Sequence, residues 1–339
     1  MKALVTGGGG FLGRALVERL LAEGHEVTSV SRGAYAELEA LGARTARCDL
    51  GAAGAPAALA AAADGADVAF HTAAKAGVWG AREDYVRTNV DGTRHVVEAC
   101  RAAGVPRLVF TSSPSVCFDG GDHVRAGNDL PYPRSFLCPY PETKAAAEAL
   151  VLAANGGELA TCALRPHLII GPRDPHLVPR LLARGRAGKL AIVGAGDNEV
   201  SLTDVDNAAW AHLDAARTLA PGAPHAGRAY FLGQEEPVRL WDWIGELFAA
   251  VGVPPVRRRI PAGVAYAAGA ALEALWRLLG QESEPPMTRF VARQLATSHS
   301  YDLAPAKRDF GYRERVSLAD ATARVVAAFG PAAGGSGAS

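Results

Sequence analysis

The sequence has no surplus of either charge: 35 lysines and arginines meet 35 aspartates and glutamates. No net field draws it to nucleic acid or anionic lipid, and nucleic acid is not an expected partner. Cysteine is scarce. Cys48, Cys100, Cys117, Cys138 and Cys162 are scattered, odd in number and free of C-x-x-C spacing, which argues against a disulfide framework and fits a reducing compartment. No metal site is expected, and His123, His167 and His176 share no ligand spacing. No apolar run reaches the roughly 20 residues of a spanning helix. The nearest, 264–279, is interrupted by Glu273 and Arg277, so no integral span is expected and peripheral contact stays open. The first residues read as a strand with no basic then apolar leader, from which we expect a cytoplasmic protein.

Glycine, by contrast, is plentiful and placed. The apolar run Met1 to Val5 empties into Thr6-Gly7-Gly8-Gly9-Gly10-Phe11-Leu12-Gly13, with glycines at 7, 10 and 13. Without Cβ atoms there, the chain can turn sharply, present backbone N–H groups to a pyrophosphate and pack the next helix close to the strand. Context supports that reading. Leu12, Leu16 and Leu20 with Val17 and Leu21 form a helical apolar stripe ended by Gly24, and Val27 to Val30 reads as a second buried strand. Further strands are expected at Arg44–Cys48, Val68–His71, Leu108–Thr111 and Thr161–Leu164, with helices at 56–63, 84–103 and 140–154. Repeated β-α units predict an α/β fold, a Rossmann-type doubly wound parallel sheet with ligands beyond the carboxyl ends of its strands.

After Gly171-Pro172 the pattern loosens into helices and short strands such as Leu190–Val193 and Ala229–Leu232. We read residues 1–171 as the dinucleotide-binding domain and 172–330 as mainly a smaller substrate-binding lobe, with some chain returning to the first domain. Ser317-Leu318-Ala319-Asp320 resembles a capping box opening a last helix to about Phe329. Residues 331–339, without large apolar side chains, are expected to be a disordered tail.

Chemistry is expected where the strand ending in Thr111-Ser112-Ser113 meets the helix carrying Tyr140 and Lys144, four apart and so on one face. A tyrosine hydroxyl is a poor base at its usual pKa near 10, and lowering that by about three units takes about 4 kcal/mol of preferential phenolate stabilisation. A Lys144 cation and a positive nicotinamide ring would supply it. In the reducing direction Tyr140 would donate the proton as hydride arrives, and Ser113 would stabilise the alkoxide. Where an acidic side chain would grip the 2′-OH of NAD, the chain reads Ser31-Arg32-Gly33, which favours the 2′-phosphate of NADP(H); a plain surface arginine is the alternative.

These segments resemble the extended short-chain dehydrogenase/reductases, in the 3β-hydroxysteroid dehydrogenase/isomerase-like branch. The likeness rests on TGGGGFLG at 6–13, CDL at 48–50, HTAA at 71–74, NVDGT at 89–93, TSSPSV at 111–116, YPETK at 140–144, LRPHLIIGP at 164–172 and DVDNAA at 204–209. Within the branch, AAKAGVWG at 73–80, LVPRL at 177–181 and PPMTRF at 285–290 are similar to bacterial reductases of long-chain olefin biosynthesis. That resemblance implies NADPH-dependent reduction of a lipid-like 2-alkyl-3-oxo acid to the 3-hydroxy acid. The alternatives are a 3β-hydroxysteroid or sterol-carboxylate dehydrogenase and a non-catalytic NADP(H)-sensing protein, and the Tyr140/Lys144 pair argues against the last.

Carried over by residue, the resemblance places Gly7, Gly10, Phe11, Leu12 and Gly13 at the pyrophosphate, Ser31 and Arg32 at the 2′-phosphate, and Asp49 and Leu50 at the adenine. Ala73, Ala74 and Lys75 would line the phosphate and ribose path, with Asn89 steadying the loops beneath. Pro166, His167 and Leu168 would border the nicotinamide, and Tyr140 and Lys144 would also hold its ribose. Trp79, Ser113, Ser115 and Tyr140 would meet substrate. Asp49 equally fits a turn, Asn89 a buried hydrogen-bonding residue and Lys75 a solvated charge. Cys117 and Cys138 fit either a pocket border or inert burial. The larger residues of 264–279 fit either an alkyl pocket or core, and Arg257 to Arg259 either a solvated strand end or an anion contact. Relatives pair through helices corresponding to 84–103 and 140–154, so a homodimer is expected, with ligase-like and α/β-hydrolase-like enzymes as pathway partners.

Overall fold

Seven strands form one parallel sheet in the computed structural model, which describes residues 1–330. They are β1 (Lys2–Thr6), β2 (Glu26–Ser31), β3 (Arg44–Arg47), β4 (Val68–His71), β5 (Arg107–Thr111), β6 (Ala160–Pro166) and β7 (Arg228–Leu232). Their order is β7-β6-β5-β4-β1-β2-β3, every neighbour parallel. Strand order reverses between β1 and β4, which opens a crevice at their carboxyl ends.

The sheet is covered on both faces, which is why its strands read as nearly continuous apolar runs. Alternation sorts the two faces. Ala3, Val5 and Val109 pack with Leu16 and Leu20 of α1 (Phe11–Ala22), while Leu4, Leu108 and Phe110 pack with Val96 of α2 (Gly92–Ala102) and Val151 of α3 (Pro139–Ala153). Helix α4 (Val205–Thr218) lies beside α1 on the first face, contributing Ala209 and Leu213.

Two expectations are corrected here. Ala229–Leu232, read as part of the smaller lobe, is β7 of the main sheet, with Ala229 in register with Ala163 and Leu232 with Pro166. Its local pattern suits any buried strand, and only the free edge of β6 decides the partner. The helix expected over 84–103 starts at Arg82 and carries a π-helical turn at Val86–Asp91 before α2.

A second core gathers Leu181, Trp241, Trp243, Leu247, Phe248 and Val325. It is built by α5 (Leu240–Ala250), α6 (Ala262–Leu278), α7 (Arg289–Ala296) and α8 (Leu318–Phe329). The Ser317 hydroxyl accepts from the Asp320 amide at 3.1 Å and caps α8. The expected strand at 190–193 shortens to Ile192–Val193, paired with Arg259–Ile260. A small sheet of Val238–Arg239, Glu199–Val200, His299–Tyr301 and His123–Ala126 draws its last strand from before residue 171. The tail expected at 331–339 lies outside the described residues. Among the described residues no helix is long and apolar enough to cross a membrane.

Candidate active site

At the β1/β4 switch the glycine loop has no room for side chains. Gly7 sits at φ +76°, and a Cβ there would lie 2.8 Å from the Ala73 backbone; one on Gly13 would lie 2.1 Å from the Gly7 carbonyl oxygen. Close docking of α1 is therefore built from hydrogen atoms. Gly10 stands at the N-cap of α1 and supplies no side-chain cap, which leaves the first-turn N–H groups and the positive end of the helix dipole open to an anion. From there a groove of about 190 Å³ runs along Gly7, Gly10, Ser31, Arg32, Asp49, Leu50, Ala73 and Ala74. Sequence reasoning named all eight. It missed Tyr35, whose ring lies against Gly9, and Thr72 and Thr88 on the same groove. Of the other loop residues, Leu12 turns its side chain into the core and Phe11 packs partly against it, so neither side chain lines the groove.

Positive charge gathers at the end of β2. Arg32 is exposed, and Arg47, in register with Ser31, donates from Nε to the Arg32 carbonyl at 3.4 Å. Asp49 is paired with Arg87 at 2.8 Å, so the one carboxylate lining the groove already has its counter-charge.

At the carboxyl end of β5 the Ser113 hydroxyl accepts from the Ser115 amide at 3.3 Å and shares a 3.0 Å hydrogen bond with the Ser115 hydroxyl. It caps the short 3₁₀ turn Pro114–Cys117. Pro139 opens α3, setting Tyr140 and Lys144 on successive turns. Burial pushes the Tyr140 phenol above its ordinary value, against the pull of a hydrogen bond with Ser113. Lys144 is buried; its Nζ donates to the Thr111 carbonyl at 2.5 Å and lies 4.0 Å from the Phe110 ring centre. Burial pushes its ammonium down to about 7, while Glu148 one turn on favours the charge. Lysine lowering of the phenol, expected from the spacing, is thus not what the protein alone provides: desolvation raises the phenol and lowers the ammonium, opposed at Tyr140 by the Ser113 hydrogen bond and at Lys144 by Glu148. Beneath them Glu148 and Arg165 form a buried bidentate pair at 2.6 and 2.9 Å, with Tyr132 donating to Glu148 at 2.7 Å.

Asn89 ties this helix to the β4 loop. Its Oδ1 accepts from the Lys75 amide at 2.7 Å, and its Nδ2 donates to the Lys75 carbonyl at 3.1 Å and to Thr143 Oγ1 at 3.0 Å. Thr143 in turn donates to the carbonyls of Pro139 and Tyr140. His71, kept neutral by burial with a pKa near 3, is bonded to Thr6 at 2.7 Å and Thr93 at 2.8 Å.

Beside α3 opens a cleft of about 620 Å³. One wall carries Lys75, Val78, Trp79 and Arg82, the floor Leu137, Cys138 and Pro139, and the other wall Glu273, Trp276 and Arg277. The Trp79 indole N–H donates to the Gln281 carbonyl at 3.0 Å, bridging the walls, and buried Tyr85 donates to the Trp79 carbonyl at 2.9 Å. Cys138 therefore borders the cleft, whereas Cys117 is buried against Val116 and Tyr301. Pro166 ends β6. His167 is buried edge-on to His299 and Tyr301 with Nε2 unpartnered, and burial holds it near 3. Leu168 follows at φ +39°, an uncommon conformation for a large side chain and of the kind that collects at functional sites.

Comparison with known proteins adds identity to this geometry. Residues 4–261 match the model of the 3-beta hydroxysteroid dehydrogenase/isomerase family. The chain is 49% identical over 329 residues to the 2-alkyl-3-oxoalkanoate reductase of Stenotrophomonas maltophilia, covering 96% of this chain and 99% of that one. It is 47% identical over 333 residues to the reductase of the same name from Shewanella oneidensis, covering 96% and 85%. Among solved structures it is similar to MoeE5 in complex with UDP-glucose and NAD, with a TM-score of 0.73, 26% identity and coverage of 96% and 97%.

Proposed function

The chain belongs to the 3-beta hydroxysteroid dehydrogenase/isomerase family, and from that premise we propose that it reduces a 2-alkyl-3-oxoalkanoate to the 2-alkyl-3-hydroxyalkanoate with NADPH. The observation that carries the reading is the Ser113–Tyr140 hydrogen bond at the start of α3, one turn before Lys144, which is buried against the Thr111 carbonyl. The residues fit a dinucleotide: a loop where a Cβ would collide, a helix without a side-chain cap and a groove ending at Arg32. Gly7, Gly10 and Gly13 would hold its pyrophosphate, Ser31 and Arg32 its 2′-phosphate, Asp49 and Leu50 its adenine, and Lys144 its nicotinamide ribose. The sequence of the first relative, 49% identical over nearly its whole length, supports the substrate class.

When bound, NADPH supplies the hydride. The chain supplies the proton and the place. Tyr140, with a phenol held above its ordinary value, stays protonated near neutral pH and is suited to donate to the carbonyl oxygen. Ser113 donates a hydrogen bond to the same oxygen as negative charge develops there. Lys144, desolvated and balanced near 7, would be favoured as the cation by donating hydrogen bonds to ribose hydroxyls, and as the cation it would stabilise the phenolate left on Tyr140. Val78, Trp79, Leu137 and Trp276 line the cleft and would give the alkyl arms an apolar wall. NADPH consumption with a 2-alkyl-3-oxoalkanoate beside a panel of 3-ketosteroids tests the reading. Turnover of the keto acid is expected; turnover of the ketosteroids alone would replace it.

A further inference from the structure

Lys144 and Arg165 are the only lysine and arginine buried among the described residues, at 3% and 4% exposure. They share one carboxylate. Glu148, at 0% exposure, follows Lys144 by one turn on the buried face of α3. It accepts from Arg165 Nη2 at 2.6 Å and Nε at 2.9 Å, and the Tyr132 hydroxyl adds a third donor at 2.7 Å. Two cations on one anion leave the cluster a positive charge in excess whenever Lys144 is protonated. A buried ammonium keeps its proton only against a counter-charge, so the state of Lys144 depends on how much of the Glu148 charge Arg165 leaves to it.

The other titratable groups around this cluster carry no charge near neutral pH. From β4, His71 faces Lys144 and burial holds it neutral, with a pKa near 3. From α4, His212 is hydrogen-bonded to Thr111 Oγ1 at 2.7 Å and burial pushes it down to about 4. The Cys117 thiol, facing Glu148 and Arg165 from the 3₁₀ turn, is pushed up to about 11 by burial. The phenols of Tyr132 and Tyr140 are raised by burial as well. From β5 come only the Thr111 carbonyl and the Phe110 ring. Glu148 and Arg165 are left as the charges that act on Lys144, and an ammonium balanced near 7 answers to small changes in them.

We propose that Glu148 and Arg165 are positioning residues that set the charge of Lys144, the carboxylate holding the ammonium proton in place and the guanidinium limiting how firmly. Neither side chain lines the groove or the cleft, so both act through Lys144. The consequence for turnover rests on the role given to Lys144 under the proposed function; the coupling of the three charges does not.

A lysine ¹³Cε NMR titration of the full chain without cofactor tests it. The chain's lysines are Lys2, Lys75, Lys144, Lys189 and Lys307, and Lys144→Met assigns the buried one. Glu148→Gln keeps the shape and removes the charge, so it should lower the Lys144 midpoint by about one pH unit or more. Arg165→Met leaves Glu148 to Lys144 alone and should raise the midpoint by a similar amount, about one pH unit. The basic limb of kcat against pH should follow each midpoint. Residues that merely support the fold would not move it in opposite directions. Breaking a buried pair is strongly destabilising, whereas exchanging the whole pair for apolar side chains is often neutral. If a single variant does not fold, the double variant Glu148→Leu, Arg165→Met should fold and lower the midpoint. Midpoints unmoved in the variants, or moved the same way by both single substitutions, overturn the proposal, and so does a limb that ignores them. Should the wild type not turn over the keto acid, the proposed function fails while the midpoints still decide the coupling.

Discussion

Asn89 and Thr143 are hydrogen-bonded, Nδ2 to Oγ1 at 3.0 Å, across 54 residues of sequence. Through that bond the loop after β4, held by Asn89 at Lys75, and the first turn of α3, held by Thr143 at Tyr140, become one unit. Asn89→Ala should cost about 1–3 kcal/mol, since buried partners lose their hydrogen bonds. Turnover should fall more than tenfold, because a small displacement of Tyr140 is amplified in rate. Thr143→Ser, which keeps the hydroxyl, should retain most of both. Thermal melts and steady-state kinetics of the pair decide it.

Tyr140→Phe removes the proton donor and little else. We expect NADPH affinity within a few-fold of wild type and turnover lower by about 10²–10⁴-fold, the usual contribution of a general acid. Fluorescence titration of NADPH beside initial rates separates the two effects. Unchanged turnover would remove Tyr140 from the reaction.

Lys144 gives a pH signature. Its pKa falls from 10.5 to about 7 on burial, so between those values the unfolded chain binds the extra proton and stability rises with pH. The slope from this residue is at most about 1.4 kcal/mol per pH unit. In Lys144→Met the buried charge is gone, so the protein without cofactor should lose that rise and be no less stable at neutral pH, while turnover collapses. Denaturant unfolding from pH 7 to 10 measures it.

The first half of the molecule was legible because its signals are local. Glycine spacing, apolar runs and Tyr140–Lys144 spacing each act within one or two elements, so Gly7, Gly10 and the Ser31-Arg32 strand end could be named from pattern, whereas Asp49, Leu50, Ala73 and Ala74 came with the family resemblance. What escaped depends on distant partners. Ala229–Leu232 looks alike in either sheet until β6 offers its edge. The π-helical turn around Asn89 leaves no mark in the apolar period. Tyr35 reached the groove unannounced, since an aromatic in a short loop carries no pattern. The 264–279 stripe was ambiguous because sequence cannot tell a buried arc from an exposed one, and here Glu273 took the inside.

Gly13→Ala should prevent α1 from docking, since the new methyl would meet the Gly7 carbonyl at 2.1 Å. A loss of several kcal/mol and of cofactor binding is expected. Gly10→Ala, whose methyl would sit 3.2 Å from the same oxygen, should be milder. Paired melts with and without NADPH check the ranking.

Arg32→Ala should weaken NADPH about 10–100-fold and leave NADH nearly unchanged, the loss expected for charge-assisted hydrogen bonds to a 2′-phosphate. Arg47→Ala should act in the same direction and more weakly, because Arg47 reaches the site through the Arg32 carbonyl. Kinetics with both nucleotides reads the change in preference.

The central claim is hydride delivery to the 3-oxo carbon of a 2-alkyl-3-oxoalkanoate while Tyr140 protonates the oxygen. Turnover of that acid with NADPH deuterated at the transferable position, followed by mass spectrometry of the product, tests it most directly. The account predicts one deuterium at carbon 3 for each NADPH consumed, formed about 10²–10⁴-fold more slowly by Tyr140→Phe than by wild type. Tight NADPH binding with no deuterium in the product would contradict it.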